Sequence, residues 1–85
     1  MAHYVFVAFE GHPGHDDSNG GAEIAAYTDT AKAAGEILGF VQKSGEYGPG
    51  VVGGQTIEFD SKASADKYIA FIADHNPSEC TYSEA

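Results

Sequence analysis

Apolar side chains occupy nearly every position of His3–Phe9 (HYVFVAF), and the abundance of Val and Phe predicts a strand covered on both faces and so central in a sheet. The stretch that follows, EGHPGHDDSNGG, is built of Gly, Pro, His, Asp, Ser and Asn and predicts a loop, with residues 11–21 as its flexible Gly/His/Asp part. From Ile24 the pattern changes. Ile24, Tyr27, Ala31, Ala34, Leu38 and Val41 recur at alternating steps of three and four, which is one face of a helix. Asp29, Lys32, Glu36 and Lys43 then project to the opposite side, and Gly45 stands where a C-terminal glycine is expected. The start of this helix admits two readings. It begins near residue 22, or Ala22–Tyr27 pairs with the first strand through Asn19-Gly20-Gly21 and the helix begins after Asp29, where Thr28-Asp29-Thr30 offers capping side chains. The unbroken period favours the first.

Further along, EYGPG predicts a turn, and Val51-Val52 and Gln55–Phe59 predict two extended segments around the diglycine Gly53-Gly54, as in a tight hairpin. Asp60 or Ser61 caps a second helix with Ala65, Tyr68, Ile69 and Ile72 on its core side, Lys67 and Asp74 facing out, and Asn76-Pro77 ending it. Glu79–Ser83 alternates, with Cys80 and Tyr82 on one side, and predicts an edge strand. The order is strand, helix, two strands, helix, strand: an α+β, ferredoxin-like βαββαβ two-layer sandwich with both helices on one face of the sheet. A ββαβαβ order with an N-terminal hairpin is the runner-up.

Length and composition narrow the picture. Residues 1–85 fit a single domain, and a 42% hydrophobic content with five Phe and five Tyr supplies a core able to offset ordering entropy. The single cysteine, Cys80, rules out an internal disulfide framework, and the N-terminus lacks the basic region of a signal peptide. The expectation is a soluble, cytoplasmic protein with no membrane span. Charge changes the functional picture most: thirteen Asp and Glu stand against four Lys and no Arg, a formal net charge of −9. Such a chain repels phosphate backbones, so direct DNA or RNA binding is disfavoured, whereas a basic protein surface would be attracted.

Candidate chemistry is sparse. GHPGHDD sets His12, His15, Asp16 and Asp17 within seven residues, and His12, His15 and Asp17 are candidate metal ligands suited to zinc, nickel, copper or iron, with His3 or His75 available to complete a set. Its glycines deny the ligands a rigid frame, so a mobile polar loop is the plainer reading. Cys80 has no neighbouring cation in sequence to activate it, and His75 suits the end of a helix without any catalytic role. Neither a P-loop nor a GxGxxG motif is present, so no cofactor is expected. Tyr4, Phe6, Phe9, Phe40, Phe59, Tyr68 and Phe71 read as core, leaving Tyr47 beside Glu46, and Tyr82 near Glu79 and Glu84, as exposed aromatics for recognition.

Two resemblances bear on function. The segment TIEFDSKASADKYIAFI, a strand followed by a capped helix, resembles the C-terminal half of subunits of small dimeric α/β-barrel proteins, including YCII-type and GYD-type domains. That likeness implies a homodimer paired over the helix-free face of the sheet, and a small-ligand binder or enzyme with His12 or His15 at a cleft. In size, acidity and want of catalytic signature the chain resembles small phage-encoded inhibitors of bacterial defence systems, of the anti-CRISPR and antirestriction kind. This second likeness implies a non-enzymatic module that blocks a basic, nucleic-acid-binding surface of a protein partner. The expected contacts are Asp16, Asp17, Glu23, Asp29, Glu36, Glu46 and Tyr47. A metal-binding module built on His12, His15 and Asp17 is the remaining alternative.

Overall fold

The computed structural model describes residues 1–11, 21–44 and 51–85. The uniformly apolar first segment forms β1 (His3–Gly11), and it is central as its pattern requires. It is followed by α1 (Gly21–Ala33), β2 (Ile37–Ser44), β3 (Val51–Phe59), α2 (Lys62–Ala73) and β4 (Glu79–Glu84). The strands form one antiparallel sheet in the order β2-β3-β1-β4, the arrangement of a ferredoxin-like α+β sandwich.

Side-chain alternation divides the sheet. Val5 and Val7 of β1 pair with Ile57 and Gln55 of β3 and with Tyr82 and Cys80 of β4, and this row faces the helices. Against it pack Ile37 and Phe59 from the sheet, Ala31 from α1, and Ala65, Tyr68 and Ile72 from α2, all buried. The Tyr68 ring tilts onto Phe59 and Tyr27 at centroid distances of 5.3 and 5.7 Å, and Tyr27 stacks on Phe71 at 4.4 Å. The opposite face carries Tyr4, Phe6 and Ala8 in register with Glu58, Thr56 and Gly54, and with Ser83, Thr81 and Glu79. Tyr4 and Phe6 are therefore half-buried on the helix-free face and stand outside the main core.

Helix α2 follows the sequence closely. Ser61 is its N-cap, the Oγ accepting from the Ser64 backbone N–H at 3.2 Å, a bond worth about 1 kcal/mol. It ends at Ala73 with Asp74 as its C-cap, and Asn76, with a left-handed φ of 51°, turns the chain just before Pro77.

Helix α1 does not run to Val41. It starts at Gly21, as the continuous period favoured, but ends at Ala33. Gly35 has a φ of 80°; its N–H donates to the Lys32 carbonyl at 3.0 Å and the Glu36 N–H donates to the Ala31 carbonyl at 2.9 Å, closing a Schellman motif. Gly35, rather than Gly45, is the terminating glycine, and Glu36 and Lys43 lie beyond the helix. A Cβ at Gly35 would meet nothing within 4 Å, so Gly35→Ala incurs only the backbone penalty of a left-handed L-residue. Denaturant unfolding should register a loss of about 1–2 kcal/mol for this variant, and Gly35→Asn should lose less.

The second strand is thus Ile37–Ser44, and Val51–Phe59 is one continuous strand through Gly53-Gly54 where two short ones around a turn were expected. β2 is irregular, with register shifts at Ile37/Gly39 and Phe40/Gln42 that leave Leu38 and Val41 as extra residues. Phe40 is 48% exposed, so it too falls outside the core.

Candidate functional site

The outward surface of the two helices combines small residues with carboxylates. On α1, Ala22, Ala25, Ala26 and Ala33 are exposed beside Glu23 and Asp29; on α2, Ala63, Ala70 and Ala73 are exposed beside Asp66, with Asp74 at the C-cap. Each lysine whose side chain is described is already engaged within the fold. Lys62 Nζ lies 2.9 Å from Asp66 Oδ2 and 5.2 Å from the centre of the Tyr82 ring. Lys67 Nζ donates to both Glu36 oxygens at 3.2 and 3.3 Å. Lys32 Nζ sits 5.7 Å from the Phe40 centroid. Among the described residues Asp29, Asp74 and Glu79 are exposed and have no lysine or histidine within ion-pair distance.

The expected contacts divide accordingly. Asp29 is free to meet a partner. Glu23 lies in the first turn of α1, where its charge suits the helix dipole, and its Oε2 is 3.4 Å from His75 Nε2 while the side chain remains 76% exposed. Glu36, expected on the solvent face of a helix, lies in the connection to β2, half-buried and bound by Lys67. With Tyr27, Thr30, Ala31, Ala34 and Lys67 it lines a shallow cleft between the helices. The hydrogen bond and charge of Glu36 hold the Lys67 ammonium above its ordinary range. Asp16, Asp17, Glu46, Tyr47 and the candidate ligands His12, His15 and Asp17 lie outside the described residues.

His3 and His75, the two histidines that were to complete a metal set, have other partners. His3 Nδ1 is 2.7 Å from the Tyr82 hydroxyl, and His75 Nδ1 is 3.1 Å from the Phe71 carbonyl. His3 also stands eight residues from the far end of β1, about 26 Å from Gly11, where the chain enters the GHPGHDD segment. No grouping of three or more His, Cys, Asp or Glu able to hold a metal occurs among the described residues. Tyr82, expected as an exposed aromatic, packs half-buried against the core edge.

No family model, curated protein or solved structure compared with the chain matches it. The site therefore rests on its own geometry and charge.

Burial pushes the Cys80 thiol up, away from thiolate formation. Loss of hydration, followed by the nearby Glu84, raises the Tyr82 phenol, and loss of hydration likewise raises Tyr27. These groups stay protonated at neutral pH. No helix among the described residues is long and apolar enough to cross a membrane. Sequence reading missed the His3–Tyr82 hydrogen bond, which depends on the β1/β4 register and has no local signature.

Proposed function

We propose that this chain is a non-enzymatic, acidic protein-binding module that acts in the cytoplasm by occupying a basic surface of a protein partner, one that otherwise holds nucleic acid. The observation that carries this reading is the unequal use of charge. Lys32, Lys62 and Lys67 each lie against a ring or carboxylate of the fold at its surface, while Asp29, Asp74 and Glu79 present carboxylates to solvent on a chain of net charge −9. A field of this sign steers a basic partner into encounter and repels nucleic acid itself. The alanine-lined helix layer lets a partner approach closely. Phage-encoded inhibitors of defence complexes are one class of protein in which such a blockade would serve.

Asp74 gives the proposal a sharp test. A negative charge at the C-cap of α2 opposes the helix dipole, so its presence costs the fold stability. Asp74→Lys is expected to stabilise the domain by about 0.3–1 kcal/mol. The double variant Asp29→Lys/Asp74→Lys should nevertheless associate with the partner at least about 10-fold more slowly at low salt, the difference shrinking as salt screens the field. The partner is obtained by affinity capture from nuclease-treated host or prey-cell lysate, and its nucleic acid should compete with this chain. Capture that is indifferent to the double variant, to salt and to competing nucleic acid would remove the basis of the proposal.

A further inference from the structure

His75 joins the two helices through both of its ring nitrogens. It follows the C-cap of α2, with its backbone N–H on the Ile72 carbonyl at 2.8 Å and its ring against Phe71 at a centroid distance of 4.7 Å. Nδ1 meets the Phe71 carbonyl at 3.1 Å, and Nε2 lies 3.4 Å from Oε2 of Glu23 in the first turn of α1. The side chain is 10% exposed, so its nitrogens depend on these two groups more than on water. A carbonyl oxygen and an ionised carboxylate can only accept, whereas neutral imidazole offers one N–H and one lone pair. The neutral ring therefore satisfies one acceptor, and the imidazolium, with two N–H groups, satisfies both. The Phe71 carbonyl is fixed in the last turn of α2, while Glu23 is 76% exposed and free to turn to water. A neutral ring thus keeps its proton on Nδ1 and presents the Nε2 lone pair to the carboxylate.

We propose that His75 is a pH-operated clasp: its second proton fastens the first turn of α1 to the end of α2, and loss of that proton releases the turn. Histidine changes charge between about pH 5 and 8, a range in which carboxylates stay ionised. The negative end of the α2 dipole falls on the ring as well. Asp74 precedes the ring at the C-cap and Glu79 opens β4, both exposed, and β1 brings the uncharged Phe9 to this side of the sheet. Lys62, Lys67 and Lys32 lie instead against Asp66, Glu36 and the Phe40 ring. Tyr27, stacked on Phe71, and Cys80 are both raised by burial and keep their protons through this range. Among the described residues around the joint, the imidazole alone changes charge there. The start of α1 has little else to hold it, because Ala22, Ala25 and Ala26 are exposed and Ile24 is half-buried. The clasp works within one chain and stands whether or not a basic partner is captured.

Hydrogen exchange at about pH 5.5 and about pH 8, with each amide referred to its intrinsic rate, reads the clasp directly. Protection of the amides of residues 25–28 should fall about 2- to 5-fold at the higher pH, the size of one charge interaction at a helix end, while that of residues 55–58 in β3 should hold. Glu23→Gln, at an exposed site that the fold does not need, should keep the lower protection at both pH values. His75→Phe retains the ring against Phe71 and should do the same. His12→Gln/His15→Gln, which removes the two histidines that precede α1 in the chain, should leave the response intact. Nitrogen chemical shifts of the His75 ring should place its proton on Nδ1 at about pH 8 and protons on both nitrogens in acid. Equal protection at the two pH values, a response that survives Glu23→Gln, a response that disappears with His12 and His15, or a neutral ring protonated on Nε2 would each overturn the proposal.

Discussion

Tyr68→Ala should cost the fold about 3–5 kcal/mol, the range found when a large buried aromatic is truncated. Tyr68 is 2% exposed and is the largest of the fully buried side chains. Its ring touches Phe59 in the sheet and Tyr27 on α1, so one side chain ties both helices to β3. A domain of this length has a total stability of only about 4–13 kcal/mol, and the variant should show a large drop in denaturant midpoint or fail to fold at all. Tyr68→Phe keeps the buried ring and its contacts with Phe59 and Tyr27 and removes only the hydroxyl. It also isolates a pH effect. Burial pushes the Tyr68 phenol well above its ordinary value of 10.0, so above that pH the unfolded chain gives up the proton first. The native state then holds more protons than the unfolded state, and stability must fall as pH rises from about 10. The phenylalanine variant should show a smaller alkaline decline, the remainder coming from Tyr27, Tyr82 and Cys80, which the fold also raises. A decline of the same size in both would place its origin elsewhere.

The same core shows which elements were legible in the sequence. The apolar run of β1, the period of α2 and the alternation of β4 each agree with the element formed: Ser61 caps α2, which ends at Ala73 shortly before Asn76-Pro77. β2 was hidden because its two register shifts insert Leu38 and Val41 three residues apart. That spacing continues the three-and-four step of Ile24, Tyr27, Ala31 and Ala34, so a bulged edge strand reads as two more turns of helix. The available counter-signal was Gly35, which ends α1 with a left-handed φ where the periodicity ran on through it. The site followed the same error. Glu36, counted as a helix-surface carboxylate, is held by Lys67 in the connection, while Asp29 stands exposed on α1 as expected and Glu23, which the period projects onto the apolar side, is exposed as well. Which carboxylates lose their charge to a lysine depends on packing between α2 and the α1–β2 connection, thirty-one positions apart in the chain, and no local pattern records it.

Gly53-Gly54, which resembles a turn, lies inside β3 for a packing reason, and this gives the second large effect. A Cβ at Gly54 would stand 2.6 Å from Phe6 Cζ, 2.8 Å from Phe6 Cε1 and 3.0 Å from the Val7 carbonyl oxygen. Phe6 lies in register with Thr56, one step along from the Ala8–Gly54 pair, so its ring reaches diagonally across the glycine on the helix-free face. Gly54→Ala must move that ring and crowd the β1 backbone, at an expected cost of about 1–3 kcal/mol. The ring is the movable part of the obstruction. Phe6→Leu removes its far edge, so the double variant should recover part of the loss, with a coupling of about 0.5–3 kcal/mol in a double-mutant cycle. The crowding at the Val7 carbonyl persists in both, and recovery should be incomplete. Strictly additive losses would show that Phe6 is not what reserves position 54 for glycine. Because this face lies across the sheet from Asp29 and Asp74, the surviving folded Gly54→Ala protein should capture the basic partner as the unaltered chain does, which separates loss of fold from loss of recognition.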